Sequence, residues 1–303
     1  MPITINKAYV QSFEDNLRLI SQQGKSLLRQ FVTEKHESSL MHNWERIGKV
    51  SARAKTSARM VSPAGGDQAG GAGTTAQALF SRRRTSVATF DAGEIIEAED
   101  PSQMLADPTT PITATLANAL KRKVDDIIIS AANDSAIDGD GATVTFPAGQ
   151  IVGGATTIIS VDLLLSVQQL FLSNDVDPDE PKVLVISPVQ FRTLMNIDKV
   201  TSGDYQAQQA LATGYLPNFL GFAHTIISNR LGMTTTPPTA GQIYCMAFTA
   251  KGIGLHIAKD IWAEVDRRVD LSFAWQLYTA MSMAAVRVED EHVVRIHLKD
   301  AQS

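Results

Sequence analysis

The chain has a single cysteine, Cys245, so an intrachain disulfide is excluded and folding in a reducing compartment is expected. Cys245 lies inside the apolar run "QIYCMAF" and reads as a small buried hydrophobe rather than a reactive thiol. No stretch reaches about eighteen apolar residues, so no membrane span is expected. The opening "MPITINKAYVQSFEDN" has no apolar core of the kind a signal peptide needs. An excess of positive charge is also missing. The net charge of −5 and pI near 5.7 argue against a dedicated nucleic-acid-binding domain.

The motifs of common chemistries are missing too. No glycine is followed by lysine in the register of a phosphate-binding Walker loop. Gly71, Gly73 and Ala76 loosely match a dinucleotide fingerprint, but no apolar strand precedes them and no helix follows. The six histidines are scattered, and no HExxH or cysteine pair occurs, so no zinc site is expected. "DSAIDGDGATVTF" lacks the closing glutamate of a calcium loop and reads as a solvated turn. No GxSxG elbow is present. No catalytic residue, metal or cofactor is therefore expected.

What the chain does have is a change of periodicity. From Lys7 to Phe31, Val10, Phe13, Leu17, Ile20, Leu27, Leu28 and Phe31 recur at helical spacing, which predicts an amphipathic helix broken near Gly24. From Lys49 to Met60 the period becomes two. Lys49, Ser51, Arg53, Lys55, Ser57 and Arg59 alternate with small or apolar residues, and no acid interrupts them. "SPAGGDQAGGAGTTAQ" follows, with five glycines in sixteen residues, and "SRRRTSVATFDAGEIIEAED" reads as a second extended arm. Together they predict a long hairpin with a loose glycine tip that binds no nucleotide.

Pro111 then opens a helix, with Thr110 as cap and Ile112, Leu116, Leu120, Val124, Ile127, Ile128 and Ala131 on one stripe. Ser160 caps another helix. "KVLVIS" is a buried strand, and Ser187–Pro188 start a third helix. "GDYQAQQALATG" reads as a further short helix. "GFAHTIIS", "IYCMAFTA" and most of Ile261–Leu298 read as strands, with "VEDEH" as a turn. The order is that of an α+β protein rather than a doubly wound enzyme.

The hairpin gathers Arg46, Lys49, Arg53, Lys55, Arg59, Arg82, Arg83 and Arg84. A charge run usually means a solvated face. A basic face on a coreless hairpin also suits an arm that grips an acidic neighbour, with Asp125, Asp126, Glu97 and Glu99 as candidate acceptors. Nucleic acid is the other candidate target. No aromatic residue interleaves with the run to stack on bases, so any contact with DNA is expected to be weak and non-specific.

In "VLVISPVQFRTLMNIDKVTSGDYQAQQALATGYLPNFLGFAHTIISNRL" (183–231), "KGIGLHIAKDI" (251–261) and the strand-rich tail, the chain resembles the major capsid proteins of tailed double-stranded DNA bacteriophages, with the Hong Kong 97-type fold. The resemblance covers roughly residues 80 to 300 and rests on order and composition. It implies an N-terminal arm (1–44), an extended hairpin loop (45–100), a peripheral domain with a spine helix (101–155), an axial domain (156–260) and strands returning to the peripheral domain (261–303). It further implies hexamers and pentamers that close into an icosahedral shell around packaged DNA, assembled in the host cytoplasm, with scaffolding, portal and decoration proteins as further partners. Only about forty residues precede the hairpin, so any scaffold is expected to be a separate protein. The resemblance carries over no crosslinking lysine–asparagine pair. An encapsulin-like compartment and a soluble α+β enzyme are the competing readings.

Overall fold

In the computed structural model of the chain, residues 21–49, 80–97, 109–197, 219–231 and 241–300 are described. The early strands are β1 (Thr33–His36), β2 (Met41–Ile47), β3 (Phe80–Ser86) and β4 (Ala88–Ile96). A long helix, α1 (Thr109–Asn133), leads to the short strands β5 (Ala136–Ile137), β6 (Thr143–Val144) and β7 (Ile151–Gly153). Helix α2 (Val161–Ser173), strand β8 (Lys182–Ile186) and helix α3 (Pro188–Met195) follow. Strands β9 (His224–Ile227), β10 (Gln242–Thr249), β11 (Ile253–Arg268), β12 (Ala274–Arg287) and β13 (Val293–Lys299) complete the described chain.

The chain divides into two compact units, residues 1–25, 89–122 and 261–281, and residues 26–88, 123–260 and 282–303. Helix α1 and strands β11 and β12 each contribute residues to both. In the larger unit the core is a five-stranded sheet in the order β7-β13-β10-β8-β9. Strand β8 is buried at every position, as a strand covered on both faces must be. Even Lys182 is buried there, and its ammonium leaves the sheet to donate to the carbonyls of Asp177 and Pro178, both at 3.3 Å. Helix α2 buries Leu164, Val167 and Phe171, and Ser160 caps it by accepting from the Leu163 N–H at 3.2 Å. Ser187 caps α3 in the same way, with Pro188 at the first helical position. Cys245 is fully buried on β10, and burial pushes its thiol up to about 12. In the smaller unit β4 lies beside β12, where the Thr279 hydroxyl donates to the Ala92 carbonyl at 2.9 Å.

Three expectations need correction. Residues 21–28 are not helical, and only Arg29–Phe31 form one 3₁₀ turn. The backbone N–H groups of Leu27 and Leu28 donate to the Asp125 carboxylate (3.1 Å each) rather than to carbonyls one helical turn back. The second hairpin arm ends at Ser86, because β4 joins β12 instead of continuing against β2. Strand β13 pairs both with β7, inside the range assigned to the peripheral domain, and with β10 of the axial range. Val293, Val294, Ile296 and Leu298 are buried where β13 runs between β10 and β7. Pro111, expected at the first helical position, falls instead in the first turn of α1 after Thr109 and Thr110, where its missing N–H goes unneeded.

One face of the β10–β13 pair carries a ladder of cations and rings. The Arg287 guanidinium lies 4.6 Å from the Phe146 ring, Arg295 lies 4.4 Å from the same ring, and Tyr244 stacks on His297 at 4.2 Å. Burial lowers the His297 pKa, and the nearby Arg295 charge lowers it further. The unfolded chain therefore binds this proton more readily than the folded one. Folding stability should fall as pH drops below the ordinary histidine value and level off below the folded value. Urea midpoints measured across that range should show a shallower loss for His297→Asn than for the unaltered protein. Equal slopes would show that His297 does not contribute.

Candidate functional site

The hairpin root is held by the turn between β12 and β13. Strands β2 and β3 pair antiparallel from Met41–Ser86 to Ile47–Phe80. On β2 the alternation is strict. Met41, Asn43, Glu45 and Ile47 are exposed, while His42, Trp44 and Arg46 turn inward. Trp44 lies flat against Gly254 of β11, where a Cβ would come within 2.6 Å of the indole ring, so only glycine allows this approach. His42 pairs with Glu37 (Nδ1···Oε2 2.8 Å), and the buried His256 donates from Nε2 to the Glu37 carbonyl at 3.0 Å.

Beside this contact sits the run Glu289–Asp290–Glu291, and each acid meets a different cation. Arg46 pairs with Glu289 at 3.1 Å, Arg83 with Asp290 at 2.7 Å and Lys49 with Glu291 at 3.1 Å. Asp290 also accepts from Arg287 at 2.6 Å, and Arg287 is fully buried. Burial lowers the Arg287 pKa, against the opposing pull of Asp290. The Glu291 hydrogen bond raises the Lys49 pKa. The outer edge is pinned by the β5–β6 turn, whose Gly139 N–H donates to the Arg82 carbonyl at 3.2 Å. Arg82 itself pairs with Glu45 at 2.9 Å, and Arg84 packs against Gly141. An open cleft of about 370 Å³ lies here, lined by Glu45, Phe80, Ser81, Arg82, Asp138, Gly139 and Asp140. Among the described residues, no group of three or more His, Cys, Asp or Glu is arranged to hold a metal ion.

This geometry redistributes the residues singled out in the sequence. Lys49, Arg82 and Arg83 are engaged by acids of their own chain, Glu291, Glu45 and Asp290. Asp125 and Asp126, expected to face an adjacent subunit, are both buried. Asp125 accepts from Ser26 Oγ at 2.5 Å and from the N–H groups of Leu27 and Leu28. Asp126 forms a two-pronged pair with Arg230 (2.5 and 2.6 Å), whose pKa this contact raises. Glu97 is exposed. Arg53, Lys55, Arg59, Glu99, the glycine tip at 62–77 and the short helix expected at 203–214 lie outside the described residues. The acidic run at 289–291 was read only as a turn. Its signal was three consecutive acids in a chain whose hairpin concentrates cations.

What this hairpin-bearing α+β architecture belongs to is decided by comparison. A family model described as phage capsid protein matches residues 5–300. The chain belongs to the phage capsid protein family. Solved structures agree in fold at low identity. A chain from Mycobacterium phage Che8 is 17% identical with a TM-score of 0.71, covering 96% of this chain and 97% of that one. The capsid of Cyanophage P-SCSP1u is 15% identical with a TM-score of 0.72, covering 97% and 94%. The Cyanophage Pam1 capsid is 11% identical with a TM-score of 0.72, covering 98% of each chain. No curated protein matches the sequence significantly. The capsid protein thus has the Hong Kong 97-type fold and a structural role in a phage capsid shell. No helix among its described residues is long and apolar enough to cross a membrane.

Proposed function

We propose that this capsid protein is the major shell-forming subunit, assembling with copies of itself into hexamers and pentamers that close around double-stranded DNA in the host cytoplasm. It does so without catalysis or a cofactor. The observation that carries this reading is the anchored root of the hairpin. Three ion pairs to Glu289–Glu291 and the Trp44–Gly254 contact hold strands β2 and β3 in place. Their last described cross-strand pair, Ile47 and Phe80, is 66% and 75% exposed. A fixed root that ends on an exposed apolar pair suits an element completed by another copy. The net charge of −5 favours weak, sequence-independent contact with packaged DNA, screened by salt.

Expression of the protein, alone and with its neighbouring gene products, followed by sizing and negative-stain microscopy, tests this. Hollow shells or free capsomers are expected. A population of monomers and dimers only, under both conditions, overturns it. Shells that enclose a protein cargo in place of DNA would reassign the protein to a compartment of the same fold.

A further inference from the structure

The ammonium of Lys49, two residues beyond the end of β2, meets more than the turn before β13. It donates to the Asn174 carbonyl at 2.8 Å and lies 3.1 Å from a Glu291 oxygen and 3.4 Å from an Asp175 oxygen. An ammonium has three N–H donors, and here there is an acceptor for each. The acceptors come from two places distant in sequence, the end of α2 and the turn at 289–291. The α2 end is shaped to receive a cation. Its cap has two bonds, from the Val176 N–H to the Phe171 carbonyl at 3.1 Å and from the Asp175 N–H to the Leu172 carbonyl at 3.2 Å. This cap puts Asp175 at φ 59°, in the left-handed region, where glycine is the usual residue. Asp175 carries backbone strain there that glycine would not. What glycine lacks is a carboxylate, and that carboxylate faces Lys49. The Asn174 carbonyl lies at the negative end of the helix dipole, which also favours a cation.

We infer that Lys49 is a latch that couples the hairpin root to the C-terminal end of α2. A hairpin that swings away takes Lys49 with it. The Asn174 carbonyl and the Asp175 carboxylate then lose their cation, and the strained cap loses the contact that offsets its strain. The reverse also holds. A cap that opens withdraws two of the three acceptors of Lys49 and leaves the hairpin tied there by Glu291 alone. Coupling of this kind is reciprocal, so a displacement imposed at either end is felt at the other. The use of the latch rests on the shell-forming reading above. A closed shell places one sequence in non-identical surroundings, and the latch lets the end of α2 follow the setting of the hairpin in each.

Amide hydrogen exchange on the unassembled protein tests the coupling in both directions. The Lys49 and Asp175 side chains are 51% and 83% exposed, so substitutions at either leave the core intact. Lys49→Met keeps the alkyl stem and removes the charge. It should speed exchange at the Asp175 and Val176 amides by about threefold, the scale of a part-exposed ion pair. Lys49→Arg should restore most of that protection. Asp175→Gly keeps the cap and removes the carboxylate. It should speed exchange in β2 by about twofold, whereas a residue that served only the cap would leave β2 unchanged. The double variant should exchange in β2 no faster than Lys49→Met alone, because both changes open one contact. Asp175 and Val176 amides unmoved by Lys49→Met overturn the latch, and so do β2 amides unmoved by Asp175→Gly. A double variant whose effect in β2 is the sum of its parents' does the same. None of these measurements needs particles, so a protein that forms no shells overturns the shell-forming reading and not the latch.

Discussion

Replacing Asp290 with alanine is expected to lower folding stability by about 3–5 kcal/mol, the cost typical of removing one partner from a buried ion pair. Asp290 is the shared acceptor of Arg83 and Arg287, at 2.7 and 2.6 Å, and both guanidiniums are buried. Arg287 also donates to the Asp134 carbonyl at 2.6 Å, so it has no free path to solvent when its carboxylate is lost. Burial already weighs against its charge with Asp290 in place. Without it, two like charges face each other in a dry site. Urea unfolding should show a much lower midpoint, and Asp290→Asn should fall between the two because its amide oxygen still accepts one hydrogen bond. A midpoint unchanged by Asp290→Ala would mean that the joint between hairpin and turn contributes nothing to the fold.

Asp125→Ala should cost on the order of 3 kcal/mol, because it strands the buried Leu28 N–H and leaves two half-buried donors without their shared acceptor. Its carboxylate satisfies Ser26 Oγ and the N–H groups of Leu27 and Leu28, and Leu28 is fully buried. The loss should appear both in the unfolding midpoint and as faster amide exchange at Leu27 and Leu28. This outcome separates two roles for the same residue. An acid that served only a neighbouring subunit would leave the isolated protein's stability and exchange untouched while impairing assembly. Exchange at Leu27 and Leu28 unaffected by the substitution would refute the internal role.

The elements that were legible in the sequence are those whose signal is local. Ser160 and Ser187 announce their helices because a cap acts on the next turn, and "KVLVIS" announces a buried strand because its neighbours cover both faces. The stripe on α1 was visible at Leu120, Val124 and Ile128, all buried. Pairings that link distant residues were not visible. Nothing near Leu27 or Leu28 says that their N–H groups will be taken by a carboxylate almost a hundred residues away, so the apolar spacing there read as helix. Nothing near Arg83 says that its partner is Asp290. The basic run was legible as a run, but the acids of "VEDEH" that meet its Arg46, Lys49 and Arg83 read only as a turn. Likewise β13 looked like part of one strand-rich tail with β11 and β12. Its place beside β10 follows from register, which composition does not encode.

The three pairs at the hairpin root are not equally shielded. Arg83 and Asp290 are 7% and 19% exposed at the side chain, Arg46 and Glu289 are 21% and 33%, and Lys49 and Glu291 are 51% and 46%. They fall in this order along the arm, from its base outward. Mobile ions reach the outermost pair first, since exposed charges are screened far more than buried ones. Rising ionic strength should therefore loosen the Lys49–Glu291 pair first and the Arg46–Glu289 pair next, while the Trp44–Gly254 contact and Asp290 keep the base seated. How far along β2 the clamp extends is set by the surrounding solution as well as by the sequence.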